Sequence, residues 1–159
     1  MAIQRFPLRI NVGFFHNEPL GSSRDIHFEF PELHLPPDLD VKLFSGLAHI
    51  SRTPQGLLIE GHFKTTLPQE CVRCLEPFDQ LLDVTFDEVY AFKRDNFTES
   101  GLVVPEDGNI DLSPVVREYF MLDNPIKPLC KPDCQGLCTV CGENLNLNIC
   151  EHQARITIE

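Results

Sequence analysis

The chain has 159 residues, of which 42% are hydrophobic, 23% are charged and 12 are Phe, and its formal charge is -11 at pH 7. Such a chain describes about one globular domain, burying roughly 68–70% of its unfolded surface, and wholesale disorder is excluded. No run approaches 18 apolar residues, and residues 1–10 lack a basic segment followed by an apolar block, so neither a membrane span nor a secretory signal is expected and the expected compartment is the cytoplasm.

Residues 3–15 alternate approximately as an extended chain does, residues 17–21 break the pattern, and residues 25–30 repeat it before Pro31, Pro36 and Pro37 intervene. Pro36-Pro37-Asp38 predicts a corner. The clearest pattern spans 41–92. Phe44, Ala48 and Ile50 share one side of a strand, residues 51–56 supply a turn, and Ile59, Gly61, Phe63 and Leu67 share one side of a second strand. Setting Arg52 opposite Leu57 makes Ile50 face Ile59 and Ala48 face Gly61, an antiparallel hairpin with coincident apolar sides. A third strand carries Leu82, Val84, Phe86, Tyr90 and Phe92, so Cys71-Val72-Arg73-Cys74 lies in the turn between strands two and three. Residues 93–110 read as an exposed loop. Asp111 or Ser113 then caps a short helix near 112–122, with Pro114 in its first turn and Leu112, Val115, Val116 and Tyr119 on the buried stripe. The expected fold is α+β: a β-rich antiparallel sheet or partly closed barrel with one short helix over residues 1–123, and a zinc-stapled, cysteine-rich tail over 124–159.

That tail has few large apolar side chains, and units below about 40 residues need a metal, disulfides or a partner. The seven cysteines stand at 71, 74, 130, 134, 138, 141 and 150. In a reducing compartment such spacings indicate metal ligation. Cys138-Thr139-Val140-Cys141-Gly142 has the form of a zinc knuckle, preceded by Cys130 and Cys134 and followed by Cys150-Glu151-His152. The seven cysteines with His152 make eight groups, the number that two closed tetrahedral zinc sites consume. One partition gives Cys138, Cys141, Cys150 and His152 to one ion and joins Cys71 and Cys74 to Cys130 and Cys134 on another. The rival places Cys130, Cys134, Cys138 and Cys141 together, so one or two ions remain open here. Structural zinc contributes about 10–16 kcal/mol of apparent binding free energy at pH 7, so the tail's fold is expected to depend on it.

These motifs have a precedent. Cys71-Val72-Arg73-Cys74-Leu75-Glu76-Pro77-Phe78, then Asp111-Leu112 opening a helix with Glu118, then residues 134–146 resemble the bacterial and plastid YceD family, the large ribosomal RNA subunit accumulation proteins, across residues 40–152. The resemblance implies a part in 23S ribosomal RNA accumulation or processing and in large-subunit assembly, and no enzymatic activity. It also implies pairing of Cys71 and Cys74 with Cys130 and Cys134, since some relatives lack the downstream module. Relatives often carry a cysteine where this chain has His152, and histidine is equally a zinc ligand.

Enzymatic readings have little support. Cysteine-rich sets describe closed structural sites, and no P-loop, dinucleotide fingerprint or nucleophile elbow is present. His49 and His62 share a face of the hairpin, where two ordinary strand histidines are expected rather than a metal pair. The carboxylates at 79, 83, 87 and 88 read as a solvated strand face. Residues 79–123 hold eleven carboxylates against Lys93, Arg94 and Arg117. This stretch is expected to dock a basic ribosomal protein or assembly factor. Direct contact with pre-rRNA falls to small basic clusters: Arg5, Arg9 and Arg24, and Lys127 and Lys131. Two zinc ions on seven thiolates would take the formal charge to about -14. The alternative function is a thiol redox or metal-storage protein using the Cys-x-x-Cys pairs.

Overall fold

The computed structural model describes residues 6–93 and 101–152. Arg5, Arg94 and residues 95–100 of the expected loop lie outside them. The chain divides into two compact units, one of residues up to 66 with 81–123, the other of 67–80 with those from 124 onward.

In the first unit, β1 (Arg9–Asn11) is followed by a 3-10 helix (Gly13–Asn17), then β2 (Ser23–Leu35), β3 (Leu39–Arg52), β4 (Gly56–Glu70) and β5 (Pro77–Ala91), then β6 (Asn109–Asp111) and α1 (Ser113–Asp123). Residues 67–70 of β4 and 77–80 of β5 belong to the second unit. Strands β2, β3, β4 and β5 are neighbours in sequence order in one sheet, and β1 pairs with β6 in a second. Among the described residues the sheets stay open, so the barrel alternative is set aside. The hairpin register is the expected one: Arg52 opposite Leu57, Ile50 opposite Ile59, Ala48 opposite Gly61.

Several local expectations change. The alternation through residue 15 yields just three residues of strand, because Gly13–Asn17 coils into the 3-10 helix and buries Phe15. Pro31 does not end its strand. It sits in β2, at the sheet's edge, where proline's missing N–H breaks no interior ladder. A register shift between Lys42 and Ser45, with Leu43 at φ 52° and exposed, inverts the side-chain parity of β3. Val41 and Phe44 therefore both point into the core despite their odd spacing. The stretch expected as loop contains buried Val104 and strand β6, whose Ile110 lies opposite Ile10. In α1 the buried residues are Ser113, Val115, Val116 and Phe120; Tyr119 is half-buried and donates to Glu88 Oε1 at 2.9 Å. Asp111 Oδ1 accepts the Ser113 N–H at 3.0 Å, capping the helix as read from sequence.

The core is a ladder of rings laid across the sheet. Phe63 has its centroid 5.3 Å from Phe44, 5.9 Å from Phe28 and 5.9 Å from Phe86, and Phe120 of α1 meets Phe44 edge-on at 6.1 Å. Gly61 makes room for it: a Cβ there would lie 2.5 Å from Phe86 Cζ and 2.8 Å from Phe63.

The carboxylates of β5 are more engaged than a plain solvated face. Asp83 binds His62 Nε2 at 2.7 Å and lies 3.6 Å from Lys64 Nζ. His49 pairs through Nδ1 with Asp25. The two histidines thus have separate carboxylate partners on neighbouring strands.

Candidate metal centres

Both cysteine sets lie within the second unit. The turn 71–76 is closed by Cys71 N–H donating to the Glu76 carbonyl at 3.0 Å and Leu75 N–H donating to the Cys71 carbonyl at 2.9 Å. Leu75 adopts φ 61°, a left-handed conformation that lets so short a turn reverse. Two further bonds bring the later segment to it: Val72 N–H to the Pro128 carbonyl, and Arg73 Nη1 to the Cys134 carbonyl, both at 3.0 Å. The four thiols of Cys71, Cys74, Cys130 and Cys134 lie within 4.8 Å of one another and could hold one metal ion.

Downstream, Leu137 bridges Asn144, Cys138 N–H donates to the Glu143 carbonyl at 2.8 Å, and Gly142 N–H donates to the Cys138 carbonyl at 2.9 Å. Gly142 takes φ 75°, with open space beside it, so glycine serves the turn's backbone and not its packing. This small hairpin presents Cys138 and Cys141, and Cys150 and His152 complete a second group within 4.8 Å that could also hold an ion. The eight sequence candidates fall into these two fours, and among the described residues no other such group forms.

The donor sets fit a tetrahedral, sulfur-preferring cation. Thiolates about 2.3 Å from such an ion stand about 3.8 Å from each other. Cys71 Sγ is 3.7 Å from Cys134 Sγ, and Cys74 Sγ is 3.7 Å from Cys130 Sγ. His152 Nδ1 is buried without a hydrogen-bond partner, as a nitrogen reserved for a metal would be.

Electrostatics support the same fit. Burial pushes the Cys71 thiol up, but N–H groups of Cys74, Cys130 and Arg73 outweigh it and bring it to about 6. The N–H groups of Cys141 and Val140 draw Cys138 down to about 6. Each set therefore has at least one sulfur whose thiolate is favoured at neutral pH and able to capture a cation first. Burial and the neighbouring Cys74 thiol push Cys130 up to about 12. Four sulfurs so close cannot all ionise unaided; a divalent cation between them removes the conflict.

Asn146 is a functional residue that spacing did not single out. Its Nδ2 donates to Cys134 Sγ at 3.3 Å, and that amide is the largest influence lowering the Cys134 thiol. Its Oδ1 accepts the Gln135 N–H at 2.8 Å, orienting the amide. Asn146 closes the 134–146 stretch that carries the family resemblance, but spacing gives no sign of this contact, which spans 12 positions. Asn146→Ala is expected to weaken metal binding at the Cys71/Cys74/Cys130/Cys134 set by about 10–100-fold and to leave the other set unchanged, measured by chelator competition.

The model for "Large ribosomal RNA subunit accumulation protein YceD" matches residues 59–157, more than half of the chain. The chain belongs to the YceD family. Uncharacterised proteins of Mycobacterium tuberculosis and Mycobacterium bovis are 34% identical over 111 residues, covering 66% of this chain and 49% of theirs. A Zea mays protein named large ribosomal RNA subunit accumulation protein YCED homolog 1, chloroplastic, is 25% identical over 128 residues, 61% of this chain and 44% of its own. The chain spans about half the length of these curated relatives. No solved structure matches. Among the described residues no helix is long and apolar enough to cross a membrane.

Proposed function

We propose that this YceD-family chain is a non-catalytic ribosome-biogenesis factor that supports 23S rRNA accumulation or processing, with two structural zinc ions shaping its cysteine-rich unit. The family match over residues 59–157 is the observation that carries the ribosomal reading, and the maize relative's name is in keeping with it. The donor chemistry supports the non-catalytic part. Each set offers four protein ligands, seven of the eight being thiols, which leaves no open position for a substrate or an activated water.

The mode of action is binding to a large-subunit ribosomal protein, assembly factor or pre-rRNA. Asp79, Asp87, Glu106 and Glu118 are exposed and make no hydrogen bond or ion pair among the described residues, so these carboxylates are available to a basic protein. Depletion of the protein is expected to lower mature 23S RNA relative to 16S RNA; an unchanged ratio rejects the ribosomal assignment. Cys141, which is exposed, keeps a thiol-redox reading in view. Slow alkylation of the native, metal-loaded protein rejects that alternative, whereas fast alkylation favours it.

A further inference from the structure

Apart from the metal centres, the most distinctive chemistry sits around the 3-10 helix of the first unit. Phe14 and His16 are both exposed on it, and each joins a group of planar side chains. Phe14 stacks on Phe15 at 4.5 Å and carries the Arg24 guanidinium 4.7 Å from its ring centre. His16 lies 4.2 Å from Phe92, which carries the Arg52 guanidinium at 5.3 Å. The groups are linked: Arg52 Nη1 donates to the Glu18 carbonyl at 2.6 Å, and the Glu18 carboxylate stands 3.9 Å from Arg24. Among the described residues no carboxylate pairs with Arg52, whose buried Nε has no hydrogen-bond partner. Exposed Lys93 follows Phe92.

Among the described residues of this group three are cations and one, Glu18, is a carboxylate, an unusual balance in a chain of net charge -11. Their arrangement is more telling than their number. Guanidinium planes over phenyl rings, with a histidine and a phenylalanine left open to solvent, are the surface on which unpaired bases stack while cations meet the phosphates. A basic protein segment would be repelled by the same charges, and an acidic one would not need the rings.

We propose that Phe14, His16, Arg24, Arg52, Phe92 and Lys93 form a stacking site for single-stranded RNA. This deepens the ribosomal reading above by placing a direct RNA contact on this chain. The site takes two or three unpaired nucleotides without base-edge readout, so affinity is weak, sequence-tolerant and salt-dependent.

Anisotropy of fluorescein-labelled 12-nucleotide U and A RNAs, titrated with the full zinc-loaded chain, provides the test. Three phosphate contacts predict a log–log salt slope of about -2, hence about 15-fold weaker binding at 200 mM than at 50 mM salt. Phe14→Ala with His16→Ala is expected to weaken binding at least about tenfold, and Arg24→Lys, which keeps charge but loses the plane, about threefold. Zinc content and thermal melting of each variant establish that it is folded. No binding by the native chain at 200 μM protein, equal binding of duplex RNA, or undiminished binding by the folded double variant overturns the proposal. Depletion separates the two readings. If the 23S to 16S ratio falls and the oligonucleotides do not bind, the stacking site fails alone; if the ratio is unchanged, the ribosomal reading fails whatever the oligonucleotides show.

Discussion

Stripping metal from the native protein is expected to unfold the cysteine-rich unit while the phenylalanine-centred sheet keeps its structure. The reason is what the smaller unit has for a core. Its buried cluster is Cys71, Cys74 and Cys134, with Phe78, Leu129, Cys130 and Leu137 around it. Ile126, Val140, Leu147 and Ile149 are strongly exposed and contribute nothing to burial. Without a cation, the centre of that cluster is a handful of mutually repelling or protonated sulfurs. Metal quantification on the wild type should give two equivalents, and Cys71→Ser and Cys141→Ser should each lose a different one. A chelated sample whose amide spectrum is unchanged across 124–152 would refute the dependence. Acid acts in the same direction. Cys71 and Cys138 are held at about 6, below the ordinary thiol value, so their stabilisation is complete above the unfolded value and drains away as pH falls through 6. Metal release should therefore steepen below about pH 6, and raising the pH should reverse it.

The second large effect belongs to the ring ladder. Phe63→Ala is expected to destabilise the first unit by about 3–5 kcal/mol, because the ring is fully buried and meets Phe28, Phe44 and Phe86 at once. Gly61→Val should cost about 1–3 kcal/mol or more from the opposite cause, since its Cβ falls within 2.8 Å of two of those rings. Denaturant melts that report the first unit measure both. Neither variant should change metal content, and a glycine substitution without cost would show that the rings do not lie over that backbone.

The hairpin register came directly from alternation, because one buried face leaves no freedom to slip by one residue. The spacing of the seven cysteines with His152 likewise pointed to the eight side chains that gather into two groups able to hold an ion, and the Cys-x-x-Cys turn lies between β4 and β5 where strand periodicity put it. Alternation failed where backbone geometry breaks it. The shift at Lys42/Ser45 exchanges the two faces of β3, and β6 is too short to show a period at all. On α1 the buried ring is Phe120 and not its neighbour Tyr119, because a stripe read at single-residue precision does not say which flank faces the sheet. Contacts made at long range, such as the Asn146 amide on Cys134 or Arg52 over Phe92, left no local trace.

Cys74 and its partner Cys130 are separated by 56 positions. During vectorial synthesis the first pair of thiols emerges as a bidentate fragment, and at about 5–20 residues per second it must wait roughly 3–11 s for the second pair. The hairpin bearing it can zip up meanwhile, but its tip stays an unsatisfied chelate, open to oxidants or to a borrowed ion. Cys138 and Cys141 arrive within moments of Cys134, so the nascent chain briefly offers the waiting tip two competing suitors, and the geometry around Arg73, Pro128 and Asn146 is what settles the match.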